Sequence, residues 1–228
     1  MDKEMQKRWL NHWGDNATVE RLKYINNAYP EVVEEILKLT DEKSKCIEFG
    51  CGSGTYAVEL FAKKRNFIAS DFSETALALT REKAKNLYGI EIPTQIVDIY
   101  DIPYNDNYFD LVFSDGVIEH LDMDEVLKEM KRVIKPNGIM TAKVPSNSLF
   151  YKLAFYVLSP IENREYEVWW SKRQWKKVVE EAGYKDVKIS RCGSIFTGIG
   201  MRIKSLKFLS VLDRFGRIYF LIEAQKHD

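Results

Sequence analysis

Apolar residues recur at helical spacing through the first 39 positions: Trp9, Leu10 and Trp13, then Val19, Leu22, Ile25 and Tyr29, then Val32, Val33, Ile36 and Leu37. Pro30 stands where a first helical turn tolerates proline, so the pattern predicts N-terminal helices, the last opening at Pro30. At Lys45 the pattern changes. KCIEFG is a short apolar run closed by glycine, which predicts a buried strand, and TYAVELFAKK after it predicts a helix. NFIASD, TQIVD, FDLVFSDG and IMTAKVP continue as strands. SETALALTREKAKNLY and DMDEVLKEMKRVI lie between them as helices. Ser73 suits an N-cap, Asp122 with Glu125 has the spacing of a capping box, and Lys135-Pro136-Asn137-Gly138 has the composition of a turn.

Strands and helices alternate in this way over residues 45–145, and most of the strands are apolar throughout instead of alternating. That combination predicts an α/β fold, a doubly wound, mostly parallel sheet covered by helices on both faces. Residues 146–170 interrupt the rhythm with the aromatic segment SLFYKLAFYVLSP. It resumes with SKRQWKKVVEEAG, a helix whose capping box is Ser171 and Gln174 and whose stop is Gly183. DVKISRCG and RIYFLIEAQK read as two last strands, separated by an irregular stretch over 194–215. One domain over 1–228 is the expected organisation, with helices over 1–40, a core over 41–145, and insertions at 146–170 and 194–215.

Charge and cysteine content narrow the classes. Lys plus Arg and Asp plus Glu are both 34, so zero net charge argues against bulk attraction to nucleic acid. Cys46, Cys51 and Cys192 are an odd number without CxxC spacing, which fits neither a disulfide framework nor a zinc site. No run approaches the ~18 apolar residues of a membrane span, and the first residues lack a signal-peptide core. A cytoplasmic protein, monomer or homodimer, is expected. The local exception is 185–217, where eight Lys or Arg face two Asp. A solvated basic face and peripheral contact with an anionic partner or membrane surface both fit this stretch.

The chemistry gathers at the first strand's exit. Gly50, Gly52 and Gly54 let the backbone approach a ligand closely, and the helix from Thr55 points free N–H groups at the same place. The spacing G-x-G-x-G departs from the dinucleotide fingerprint G-x-G-x-x-G, and no Walker lysine follows. Acids end successive strands: Glu48, Asp71, Asp98 and Asp115. Four carboxylates on one edge repel a polyphosphate and suit a ligand with hydroxyls, amines and a positive centre.

CIEFGCGSGT, ASDFS, VDIYDIPYNDNYFDLVFSDGVIEHL and VIKPNG together resemble the successive motifs of class I S-adenosylmethionine-dependent methyltransferases, in the small-molecule, type 11-like branch. The resemblance covers about 45–145 and implies a Rossmann-like seven-stranded sheet whose last strand is antiparallel. It implies S-adenosylmethionine as cofactor and S-adenosylhomocysteine as product. By the same resemblance, Gly50, Gly52 and Gly54 with the Cys51 backbone approach the methionine part, and Glu48 orients the loop and helps hold the amino group. Asp71 accepts both ribose hydroxyls, Phe72 packs on the adenine, Asp98 and the Ile99 backbone meet the adenine edge, and Ser114 lies near the methionine end.

His120, in VIEHL after the fourth strand, is the candidate base, with Glu119 beside it as a candidate partner. Some relatives place a metal with an acid three residues before that glutamate; here the position is Gly116, so no metal is expected. SDGVIEH also lacks the N-P-P-Y pattern of adenine or amide methylation. The acceptor is expected to be a small apolar or aromatic molecule, roofed by aromatics such as Trp9, Trp13, Tyr24, Phe150, Tyr151, Phe155, Tyr156, Trp169 and Trp170, although each of these also suits core packing. Methylation of RNA or protein, and cofactor binding without turnover, stay open as alternatives.

Overall fold

Pro30 does open a helix. The computed structural model describes residues 7, 9, 11, 28–149, 151–152, 168–194 and 217–227. Within them α1 spans Pro30–Leu39, with Val32, Val33 and Ile36 buried. Lys7, Trp9 and Asn11 are also helical, while the rest of the expected N-terminal helices lies outside the described residues. So do most of 146–170 and of 194–215.

The strands follow the apolar runs: β1 Cys46–Phe49, β2 Phe67–Asp71, β3 Thr94–Ile96, β4 Phe109–Asp115, β5 Ile134–Pro145, β6 Lys185–Ser194 and β7 Arg217–Gln225. Between them lie α2 Thr55–Ala62, α3 Glu74–Tyr88, α4 Met123–Val133 and α5 Lys172–Glu181. The sheet order is β3-β2-β1-β4-β5-β7-β6. All neighbouring pairs are parallel except those of β7, which runs antiparallel to both β5 and β6.

Both faces of the sheet are covered, which is why β1 and β4 carry no polar alternation. Ile47, Phe49 and Val112 pack on one side with Val126, Leu127 and Met130 of α4 and Trp175 and Val179 of α5. Cys46, Leu111 and Phe113 pack on the other side with α1 and Tyr56 of α2. Burying a large apolar side chain stabilises by ~1.5–3 kcal/mol. Trp175, fully buried and seated against Trp170, anchors α5 in this way.

Most local signals hold. Ser73 caps α3 through Ala76 N–H, Ser171 and Gln174 form a reciprocal capping box, and Gly183 leaves α5 at φ +86°. Two differ. Asp122 accepts from the Asp124 and Glu125 N–H groups, but its own N–H goes to the Tyr100 hydroxyl at 2.9 Å, so Glu125 does not complete the box. Lys135–Gly138 is no separate turn. It is bulged within β5, where the register jumps from Phe109↔Ile134 to Leu111↔Ile139 and Asn137 takes φ +62°.

The order of strands reverses between β1 and β4. Ligands of open α/β sheets bind beyond the carboxyl ends of strands at such a point. The fold therefore aims the exits of β1, β2 and β4 at one place.

Candidate active site

The β1 exit is shaped by glycines that no other residue could replace without movement. Gly50 has φ +66°, and a Cβ there would lie 2.5 Å from Val117 Cγ2. Gly54 has φ +70°, and a Cβ would lie 2.5 Å from Thr80 Cγ2. Main chain thus passes where side chains would block it. Thr80 of α3 also donates to Gly52 O at 2.9 Å, and buried Lys83 donates to Ser53 Oγ at 3.0 Å. Burial pushes the Lys83 ammonium down to about 8, with Glu48 and Cys51 acting the other way.

Around this loop is a cavity of about 320 Å³. From β1 it takes Glu48, Gly50, Cys51 and Gly52, and from β2 it takes Asp71 and Phe72. Val97, Asp98 and Ile99 follow β3, while Asp115 ends β4 and Gly116, Val117, His120 and Leu121 follow it. Trp9 closes the list from the N-terminal segment, its ring edge-on to His120 with centroids 5.6 Å apart. Trp9 thus lines the cavity. Trp169 instead contacts Tyr151, Trp170 packs on Trp175, and Trp13, Tyr24, Phe150, Phe155 and Tyr156 lie outside the described residues.

Asp71 is 4% exposed, and its two oxygens accept from Gly52 N–H and Ser73 N–H, each at 2.9 Å. Burial raises its pKa and those backbone bonds oppose the rise. Asp98 is exposed and accepts from Tyr100 N–H at 3.0 Å. It stands two residues past β3 instead of ending it. Glu48 is buried and accepts from Ala57 N–H at 2.7 Å, tying β1 to the first turn of α2. Burial, and next the charge of Asp115, raise its pKa well above the carboxylate range.

Three expected residues do not reach the cavity. Ser114 is 1% exposed inside the sheet, and the cavity is met instead by Asp115, the next residue, because adjacent strand side chains point to opposite faces. Gly54 serves as the N-cap of α2 against Thr80. Glu119 is 3% exposed, and its main-chain oxygen accepts from Val168 N–H at 3.2 Å. The short 3₁₀ turn Ile118–His120 thus turns Glu119 inward and His120 to the cavity. Among the described residues no cluster of His, Cys, Asp and Glu could hold a metal. None of their helices is long and apolar enough to cross a membrane.

Asp115 and Lys143 were not singled out together in the sequence. Lys143, 7% exposed, sits opposite Asp115 in the β4–β5 register, and its Nζ lies 2.6 Å from Asp115 Oδ1. A lysine inside the apolar run IMTAKVP was the available signal.

The Glu48 shift has a sign that can be checked. A glutamate whose folded pKa is raised above the ordinary ~4.3 lends stability that is whole below that pH and is lost as pH rises through the folded value. Glu48→Gln keeps an oxygen for Ala57 N–H and removes the titration. The ligand-free variant should therefore melt about 2–4 °C above the parent at pH 8, equivalent to about 1 kcal/mol for this size, with the gap closing towards pH 4.5. Thermal denaturation across that range tests it, and a gap that widens towards acid would refute the assignment.

A methyltransferase-domain family model matches residues 47–142. A demethylmenaquinone methyltransferase of Staphylococcus carnosus is 30% identical over 181 residues, covering 68% of this chain and 72% of that one. That of Staphylococcus saprophyticus is 29% identical over 172 residues, covering 64% and 72%. Among solved structures, a SAM-dependent methyltransferase from Archaeoglobus fulgidus superposes with TM-score 0.64 at 18% identity, covering 96% of this chain and 99% of that one.

Proposed function

Because this chain belongs to the class I S-adenosylmethionine-dependent methyltransferases, we propose that it carries the cofactor's methyl group to a small, aromatic, largely apolar acceptor of the demethylmenaquinone type. The observation that carries the acceptor reading is the two-ended cavity. Its polar anchors are Asp71 at the end of β2 and Asp98 after β3, while Trp9, Val117, Leu121 and His120 line it at the β4 exit. The curated relatives' action on demethylmenaquinone agrees with an apolar, aromatic occupant at that second end.

The residues at the first end fit the cofactor. Each Asp71 oxygen is used by one N–H and keeps a lone pair for a hydroxyl, so one carboxylate can take both ribose hydroxyls. Main chain of Gly50, Cys51 and Gly52 lines the cavity, so a ligand there can lie against backbone. Buried Glu48, with Asp71 and Asp115 raising its pKa, gains from a cationic neighbour. When bound, the cofactor supplies an electrophilic methyl on a sulfonium. The chain's own work is to hold the acceptor in line, and positioning of this kind is worth ~7–11 kcal/mol.

Incubation of the purified protein with S-adenosylmethionine and a short-chain demethylmenaquinone, oxidised or dithionite-reduced, tests the reading. Acceptor-dependent release of S-adenosylhomocysteine at least about tenfold over background is expected, with a product heavier by one methylene. Release with neither redox form, alongside turnover of a small hydrophilic amine, would overturn it. An acceptor that lives in lipid also gives the basic stretch 185–217 a use, and faster turnover is expected from anionic than from neutral vesicles.

A further inference from the structure

We propose that Asp115, held in place by Lys143, is the specificity-determining residue of the acceptor end, taking a hydrogen bond from an O–H or N–H group beside the atom to be methylated. The proposal rests on the reading of the cavity as a methyl-transfer site. Strand order separates this acid from those at the cofactor end. Asp98 follows β3, Asp71 ends β2 and Glu48 lies within β1, while Asp115 ends β4, on the far side of β1 from Asp71 and Asp98, at the strand exit that also delivers His120.

The pair is built for a fixed, ionised carboxylate. Lys143 Nζ lies 2.6 Å from Asp115 Oδ1, and its ammonium also sits 3.9 Å from the centroid of the Tyr219 ring and 5.6 Å from that of Tyr29. Burial alone would push that ammonium down, but Asp115 and the phenols of Tyr56 and Tyr219 hold it well above its usual value. An amine caged by one carboxylate and aromatic faces does not leave. Asp115 Oδ1 is fully buried, yet the side chain is 24% exposed and lines the cavity, so the exposure falls on the rest of the side chain. An ionised carboxylate only accepts hydrogen bonds. An acceptor that brings only carbonyl or ether oxygen to this point meets an acceptor with an acceptor. The site would then lose affinity by leaving buried polar groups unpaired.

Lys143 is the positioning residue of the pair. It does not line the cavity, and without it Asp115 is free to rotate.

The test uses binding, not turnover, so its failure is separate from failure of the acceptor reading. With S-adenosylhomocysteine present, affinities for 1-naphthol and 1-methoxynaphthalene are measured by calorimetry on the full chain. The parent should prefer the naphthol at least fivefold. Asp115→Asn, nearly isosteric, should reduce the preference below twofold, Lys143→Met should do the same, and Lys143→Arg should restore part of it. S-adenosylhomocysteine affinity should stay within threefold in every variant, which also shows that the variants fold. Equal affinity of the parent for the two compounds, or none for either, overturns the proposal. So does a preference that survives Asp115→Asn. If the substitutions weaken S-adenosylhomocysteine as much as naphthol, the pair belongs to the cofactor end and the assignment fails.

Discussion

Asp71→Ala is expected to weaken S-adenosylmethionine binding by at least about 100-fold, since two charge-assisted bonds of ~1.5–3 kcal/mol each vanish together. The side chain has two duties. Its oxygens accept from Gly52 N–H and Ser73 N–H, which fixes the glycine loop and the start of α3, and its spare lone pairs face the cavity they line. Alanine removes both. The orphaned N–H groups cost the fold ~1–3 kcal/mol, so the variant should melt lower yet remain folded. Asp71→Asn separates the duties, because the carboxamide keeps the shape but turns an NH₂ towards one of two N–H donors. An intermediate loss of about tenfold is expected there. Calorimetry of cofactor binding with a melting curve for each variant decides the matter. A dissociation constant within threefold of the parent, in a protein that still melts cooperatively, would remove Asp71 from the cofactor site.

The part of the cavity at β1, β2 and β3 was legible in the sequence because its parts are contiguous. Three alternate glycines after a short, largely apolar strand, with an acid ending the next strand, state a close backbone approach beside a carboxylate in a few residues each. β1 and β4, whose apolar residues run on consecutive positions instead of alternating, announced burial on both faces, and Ile47 and Cys46 indeed pack into opposite layers. The start of β5 was not legible, because Lys135–Gly138 has turn composition and only pairing with β4 makes it a bulge.

The acceptor end depends on contacts between distant segments. Trp9 meets His120 only once the N-terminal segment folds over the sheet. Asp115 meets Lys143 only through the β4–β5 register, and a one-residue slip would turn Lys143 to the other face. Ser114 was misplaced for the same reason, since the parity of β4 decides whether it or Asp115 points at the cavity. Glu119 looked like a partner of His120 by adjacency, but in a 3₁₀ turn adjacent side chains diverge.

His120→Ala is expected to lower the turnover of a proven acceptor by about 100-fold or more, the scale of a lost general base. Whatever atom takes the methyl, a neutral X–H acceptor ends with one proton too many, and that proton must leave as the X–C bond forms or just after. His120 is the nitrogen base that the β4 exit presents to the cavity, fixed by its main-chain bond to Val117 O at 3.1 Å and by the edge contact with Trp9. The rival role is structural: a side chain that only steadies the turn Ile118–His120. The two differ in what they move. A base shows in kcat, which His120→Ala should lower while cofactor affinity stays within threefold. A structural residue shows in melting temperature and in both binding constants together. His120→Gln keeps bulk and hydrogen bonding without basicity, so it should be as slow as alanine if proton transfer is the role and close to the parent if it is not.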